Sequence, residues 1–229
     1  MRLVLDTNVI IRAIRSPESA SAMLIAEALN ERITPLVSNA LGLEYEAVAS
    51  RPEHWVAPGF DRLAAERFPD ALAEVSEPVN IAFRWRGELP DPSDDMVLEA
   101  AINGHAEALV TFNPRHFAGV TEQFGLALRD PRTIGQSGNR IGTGPLTVEI
   151  GDEMAEALAK AANDLGETEE QFVQHALAQR LKALEDNPFF ARRRKGIDRK
   201  AARDWLLGRT GGEPPGPEDE VPPNYTRPR

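Results

Sequence analysis

The amino-acid sequence predicts an α/β protein that begins with a parallel sheet covered by helices on both faces. Short apolar segments with the composition of buried parallel strands occur at 2–6, 33–37, 108–112 and 125–129. Segments with helical periodicity separate them, at about 8–14, 17–31, 39–50, 60–75 and 94–104. Strands that alternate with amphipathic helices are typical of a three-layer α/β/α fold.

The first strand leads directly to a carboxylate. Leu3, Val4 and Leu5 form an apolar run that ends at Asp6, and a second apolar pattern begins at Val9. This pattern indicates a buried strand that turns at once into a helix. Functional residues of open α/β sheets collect beyond the carboxyl ends of the strands, so Asp6 is the first candidate functional residue.

The helix after the second predicted strand could bring another carboxylate to the same edge. Ser38 or Asn39 is placed to cap this helix, and Glu44 shares a helical face with Leu41 and Val48. Glu44 could therefore point towards the sheet. The alternative is an ordinary solvated glutamate.

Polar residues also surround the last predicted helix and the strand that follows it. Asp91, Asp94 and Asp95 lie at the start of that helix, and three carboxylates within five positions exceed what helix capping requires. The next strand ends near Thr111, and Asn113 is the first polar residue beyond it. These groups become candidates for a shared site with Asp6.

Taken together, these segments resemble the PIN-domain nucleases, and especially the PIN-type (VapC-like) toxins of bacterial toxin–antitoxin systems. The resemblance covers roughly residues 1–130 and implies a PIN-like α/β/α nuclease domain at 1–134. The catalytic positions that it implies are Asp6, Glu44, Asp94 and Asn113. The metal ligands that it implies are Asp6, Glu44, Asp94 and Asp95, with the choice between the last two open. The supporting polar residues are Thr7, Asn8, Ser38, Asp91 and Thr111.

The chemistry of such a site favours Mg²⁺ or Mn²⁺ as the cofactor. Carboxylates held together repel one another, and a divalent cation relieves the repulsion. Such ions can activate water for in-line phosphodiester cleavage, and the resemblance implies RNA as the substrate. Asn113 stands where many family members carry a fourth aspartate, which removes one negative charge. Zinc is disfavoured because there are no cysteines and only 4 histidines, of which His116 is interpreted as a surface residue.

Composition limits the other possibilities. The formal net charge is −10, with 26 Lys and Arg against 36 Asp and Glu, so nucleic-acid binding has to be local. The absence of cysteine excludes disulfides and thiol nucleophiles and suits a reducing cytoplasm. No apolar stretch approaches ~18 residues, so we expect no membrane-spanning segment and a cytoplasmic location.

A glycine-rich linker at 135–145 separates this domain from a differently composed module at 146–184. Every lysine of the chain lies after the linker. The module begins with an alternating strand-like segment and continues with two helices. Gly166 is placed to end the first helix, and Thr168 with Gln171 forms a capping box for the second.

The strand-helix-helix order resembles a ribbon-helix-helix antitoxin. The resemblance implies a homodimer or higher oligomer in which the strands of two chains pair. Thr147 and Glu149 would then face the major groove of operator DNA. A glutamate is poorly suited to that surface, so a module that only dimerises is the alternative.

The tail at 185–229 resembles antitoxin tails that wrap a toxin. It contains an aromatic pair and a basic run and ends in a Gly/Pro-rich acidic segment, a composition that stays disordered unless it docks. The hypothesis is that basic residues of the tail enter the carboxylate cluster and inhibit the nuclease of the same or a neighbouring chain. The candidates are Arg192, Arg193 and Arg194.

Two other functions fit parts of the sequence. One is a non-enzymatic, DNA-binding transcriptional regulator with a degenerate PIN scaffold, which the Asp6/Glu44/Asp94 set argues against. The other is a phosphatase with an aspartyl nucleophile. That chemistry generally requires a second aspartate two positions on, and the residue there is Asn8.

Overall fold

The computed structural model describes residues 1–57, 59–84, 89–121, 123–134, 152–185, 188–193, 196–223 and 225. The chain forms two compact units. The first unit contains Met1–Arg140 together with Asn187–Arg229, and the second unit is Ile141–Asp186. The C-terminal tail therefore folds with the N-terminal domain.

The first unit is built on a five-stranded parallel sheet with the strand order β3-β2-β1-β4-β5. The strands are β1 (Arg2–Leu5), β2 (Thr34–Ser38), β3 (Glu77–Val79), β4 (Ala108–Val110) and β5 (Ala127–Arg129). The predicted parallel α/β/α fold is confirmed. The sequence pattern did not predict β3, which has only three residues and contains Pro78. Proline is tolerated in this strand because it lies at an edge of the sheet.

Six helices of the N-terminal domain flank this sheet in the described residues. They are α1 (Thr7–Arg15), α2 (Ala20–Leu29), α3 (Asn39–Ala49), α4 (Arg62–Val75), α5 (Asp95–Asn103) and α6 (Pro114–Thr121). Five of them correspond to predicted helices. The unpredicted one is α6, although a proline at the first helical position is a known start signal.

The strand order creates a crevice at the carboxyl edge of the sheet. From β1 the chain proceeds to β2 and β3 on one side, and it later returns to β4 and β5 on the other side. The connections after β1 and β4 therefore diverge, and ligands of open α/β sheets bind at such a switch point. Asp6 follows β1 directly and Thr111 follows β4 directly. The buried core beneath them includes Leu3 and Val4, both 0% exposed.

The tail adds two helices and part of the hydrophobic core to the first unit. Helix α9 (Pro188–Arg193) packs on α3 and α4, and α10 (Arg199–Gly208) packs on α2. Phe189, Phe190 and Leu206 are each only 1% exposed. The tail composition predicted disorder in the absence of docking, and the surface on which the tail docks belongs to its own chain.

A buried arginine after α10 ties the tail to the end of α1. The Arg209 guanidinium donates to the carbonyl oxygens of Ile14 at 2.8 Å and Ala13 at 3.1 Å. It also lies over the rings of Phe60 and Trp205, at 5.3 and 5.1 Å from their centroids. Burial lowers the pKa of Arg209 to about 10. Arg209 thus satisfies carbonyl groups that the end of a helix leaves without intrahelical donors.

The described part of the second unit is a pair of helices, α7 (Asp152–Leu165) and α8 (Glu169–Glu185), that contact each other. The predicted capping box is confirmed. The Thr168 amide donates to Gln171 Oε1 at 3.0 Å, and the Gln171 amide donates to Thr168 Oγ1 at 3.2 Å. Gly166, with a φ of +70°, ends α7 in the left-handed conformation that favours glycine.

Several predicted features lie outside the described residues. These are the linker at 135–145, the strand-like segment with Thr147 and Glu149, and Arg194. The ribbon-helix-helix fold and its DNA contacts therefore stay predictions. No helix within the described ranges is long and apolar enough to cross a membrane.

Candidate active site at the carboxyl edge of the sheet

Asp6 is held at the junction between β1 and α1. Its backbone amide donates to the Val110 carbonyl at 2.9 Å, which continues the pairing of β1 with β4. The buried Tyr45 hydroxyl donates to the Leu5 carbonyl from α3. Asp6 is only 4% exposed, although its side chain is charged at neutral pH in water. The backbone contacts from two elements therefore fix the position of this buried carboxylate.

Short hydrogen bonds orient the Asp6 carboxylate. Thr111 Oγ1 donates to Asp6 Oδ2 at 2.6 Å, and Asn8 Nδ2 donates to the same oxygen at 2.7 Å. Asn8 Nδ2 also lies 3.3 Å from Thr111 Oγ1. The Asn113 amide donates to Thr111 Oγ1 at 2.9 Å. The structure thus brings together the polar groups predicted after β1 and β4.

Asp94 adds a second negative charge near Asp6. Burial raises the pKa of Asp6, the hydrogen bond from Thr111 opposes this, and the charge of Asp94 raises the pKa further. The backbone N–H groups of Asn8 and Thr7 favour the charged form. Asp6 and Asp94 are called the acidic pair below. Because burial and like charge both disfavour ionisation, the acidic pair is a place where a cation would be stabilising.

His116 contacts the acidic pair and is a residue that the sequence interpretation missed. Its Nδ1 lies 2.8 Å from Asp94 Oδ2. The Asp94 side chain is 15% exposed and the His116 side chain 40%. The start of α6 brings His116 to this edge, and Asn113 followed by Pro114 was the sequence signal for that helix start. His116 therefore helps to position Asp94.

The neighbouring aspartates have different surroundings. Asp91 is exposed and accepts a hydrogen bond from the Ser93 amide at 2.9 Å, which lowers the pKa of Asp91. This is an ordinary capping contact. Asp95 is 2% exposed, and its Oδ1 has no hydrogen-bond partner among the described residues. A buried oxygen in that state is normally satisfied by a water or an ion.

Glu44 is not brought into the acidic pair. Its side chain is 33% exposed, and Arg51 Nη2 lies 3.9 Å from Glu44 Oε1. The helix that carries it begins as predicted, because Ser38 Oγ accepts from the Leu41 amide at 3.2 Å. Among the described residues, Glu44 forms no hydrogen bond or ion pair with either member of the acidic pair. Its role as a metal ligand stays a prediction.

The residues at this edge of the sheet could supply some, but not all, of the ligands of a small divalent cation. In the part of the chain that the structure describes, no three Asp, Glu or His side chains come close enough together to hold an ion. Mg²⁺, however, is usually held by only one or two protein carboxylates together with waters and substrate phosphate. The acidic pair supplies two carboxylates, and the buried Oδ1 of the adjacent residue Asp95 has no hydrogen-bond partner among the described residues. The donor set therefore suits Mg²⁺ or Mn²⁺ with open positions.

Arg193 of the tail lies away from the acidic pair. Arg193 pairs with Glu46 on α3 and with Asp70 on α4, the latter at 2.6 Å. Its guanidinium also lies over the Phe189 ring, 5.3 Å from the centroid. These two carboxylates, on the helices that α9 packs against, neutralise the charge of Arg193. The Arg193 guanidinium is therefore not available to the acidic pair. Arg192 is exposed on the same helix, and Arg194 lies outside the described residues.

The fold and the site define a class of protein. A parallel α/β/α sheet with an acidic pair at its switch point is suited to bind a divalent cation beside a phosphate-containing ligand.

Comparison with known families agrees with this class. Residues 2–115 match the family model of the PIN domain, so the N-terminal part of the chain is a PIN domain. The match includes the acidic pair, Glu44 and Asn113 and ends before the linker. PIN domains are generally metal-dependent nucleases. No curated protein and no solved structure matches the chain significantly.

Proposed function

We propose that the protein is a Mg²⁺- or Mn²⁺-dependent endoribonuclease of the toxin type. The observation that carries this proposal is the acidic pair, which lies at the switch point of a PIN domain. The pair would hold the cation. When bound, the cation would supply an activated water and stabilise the leaving oxygen during hydrolysis of an RNA phosphodiester bond.

The protein groups around the pair position it for this reaction. Thr111 and Asn8 both donate to Asp6 Oδ2, so the carboxylate has one orientation before a cation arrives. His116 does the same for Asp94. Mutation of residues that orient a metal ligand in this way typically lowers metal affinity or activity by about 10–100-fold. The RNA substrate and the toxin role rest on the resemblance of the chain to PIN-type toxins.

The proposal is tested with the whole 229-residue chain. Residues 1–134 alone would lose Phe189, Phe190 and Leu206 from the core, so a truncated domain is a poor test. We expect cleavage of a mixed RNA pool with Mg²⁺ or Mn²⁺, loss of cleavage with a chelator, and recovery when excess cation is added. Calorimetric titration with Mn²⁺ measures the site independently of turnover. If the protein neither binds the cation nor cleaves RNA, the DNA-binding regulator becomes the better hypothesis.

The second unit supports a further part of the proposal, which is self-association. Leu165, Val173 and Leu177 are 66%, 39% and 55% exposed, an apolar surface that the second unit of another copy would cover. We expect light scattering to give at least twice the chain mass of 25.1 kDa. Leu177→Glu should yield monomers, whereas Leu63→Glu on α4, which is also half-exposed, should not. A monomeric wild-type protein would contradict this part.

A further inference from the structure

Arg12 borders the candidate active site. It lies on α1, four residues after Asn8, and side chains at this spacing are neighbours on one helix face. Asn8 contacts Asp6 directly. The Arg12 guanidinium also lies 5.6 Å from the centroid of the Phe112 ring, and Phe112 immediately follows Thr111. Arg12 is thus placed beside the groups that orient Asp6.

An acidic residue of the tail forms an ion pair with Arg12. Arg12 Nη2 donates to Glu218 Oε1 at 2.5 Å, across 206 positions of the sequence. The Arg12 side chain is 39% exposed and the Glu218 side chain 44%, so both are accessible to a competing ligand. Arginine binds carboxylate and phosphate oxygens with the same donors. A carboxylate at this position is therefore a chemical substitute for a phosphate group.

The residues on both sides of Glu218 are fixed to the first unit. Asp219 is fully buried and accepts from the Ser21 amide and hydroxyl, each at 2.8 Å. The Ala20 amide donates to the Asp219 carbonyl at 2.8 Å. On the other side, Arg132 Nη1 donates to the Pro217 carbonyl at 3.0 Å. The glutamate is thus presented to Arg12 by an anchored segment.

We propose that Arg12 binds a backbone phosphate of the RNA and that Glu218 competes for it as a built-in substitute. This inference rests on the proposed function. It assigns the inhibitory contact of the tail to a carboxylate on a substrate-binding arginine. It differs from the sequence-based hypothesis, in which arginines of the tail enter the carboxylate cluster. For RNA to replace Glu218, the ion pair between Arg12 and Glu218 would have to break. Helices α9 and α10 could stay packed on the first unit.

The test is RNA binding by the full chain, measured without divalent cations so that no RNA is cleaved. Anisotropy of a labelled single-stranded RNA should show about threefold to fivefold tighter binding for Glu218→Gln. Arg12→Gln should weaken binding and reduce the dependence of log affinity on log salt by about one. The double variant should bind like Arg12→Gln alone, because there is then no arginine for Glu218 to mask.

Glu213→Gln is the matched control. Glu213 belongs to the same tail and pairs with Arg15 on the same helix, so this variant makes the same charge change at a neighbouring ion pair. The inference is overturned if Glu218→Gln gains no more affinity than Glu213→Gln, or if its gain persists without Arg12. It is also overturned if no variant binds RNA. If the expected binding pattern appears but added Mg²⁺ or Mn²⁺ produces no cleavage, the proposed nuclease function fails and the inference stands.

Discussion

Asp6→Asn is expected to reduce metal-dependent RNA cleavage by about 100-fold to 1000-fold. Asparagine preserves the shape of the side chain and can still accept a hydrogen bond from Thr111, but it removes the charge that would hold the cation. Catalytic cations contribute several kcal/mol of transition-state stabilisation, and each ~1.4 kcal/mol is a factor of ten in rate. Initial cleavage rates at saturating Mn²⁺ measure the effect.

The stability of the Asp6→Asn variant should show whether any loss of activity comes from loss of the cation site or from unfolding of the protein. Burial and the charge of Asp94 raise the pKa of Asp6, so folding disfavours its ionised form. A neutral side chain should therefore maintain or raise the free energy of unfolding at neutral pH without metal. Mn²⁺ should raise the melting temperature of the wild type and not that of the variant. Glu66→Gln, on the exposed face of α4, is the control for charge removal. Wild-type activity in Asp6→Asn would place the chemistry elsewhere.

Phe189→Ala is expected to lower the free energy of unfolding of the first unit by about 3–5 kcal/mol. The Phe189 ring is 1% exposed and packs edge-to-face on Phe190 at a centroid distance of 5.2 Å. The three tryptophans, at positions 55, 85 and 205, all lie outside the second unit. Urea unfolding followed by tryptophan fluorescence therefore reports on the first unit alone. The half-exposed Leu63 supplies the control, since Leu63→Ala should cost about 0.5 kcal/mol or less.

The effect of Gly42→Ala on stability tests whether the Phe189 ring packs against α3 at Gly42. A Cβ at Gly42 would lie 2.8 Å from ring atoms of Phe189, closer than side chains pack. Alanine favours a helix over glycine by about 1 kcal/mol, whereas overpacking costs about 1–3 kcal/mol. The substitution should therefore destabilise the wild type but be neutral or stabilising in Phe189→Ala. Additive effects of the two substitutions would show that the ring does not fill this position.

Much of the fold and the centre of the site followed from local sequence. The apolar run before Asp6 predicted β1, because a strand buried on both faces has no polar alternation. Thr111 and Asn113 follow another such run, and parallel strands bring their carboxyl ends to one edge. The closing of α7 by Gly166 and the capping box at Thr168 depend on neighbours within three positions, so they too were predictable.

Other features were decided only by tertiary structure. Strand β3 contains a proline and is stabilised as an edge strand by its pairing with β2. Glu44 lies on the predicted helix, but its orientation places it near Arg51. The aromatic pair of the tail was visible in the sequence, yet the surface that receives it is formed by α3 and α4, far away along the chain.

The sequence by itself thus determined that a buried carboxylate ends the first strand of a parallel α/β domain, because strand pattern and site residue are adjacent. The tertiary structure decided what surrounds that carboxylate. Arg209 meets the end of α1 across 195 positions, and Glu218 meets Arg12 across 206. No periodicity in the sequence encodes such pairs, since they depend on how distant segments pack against the same helix.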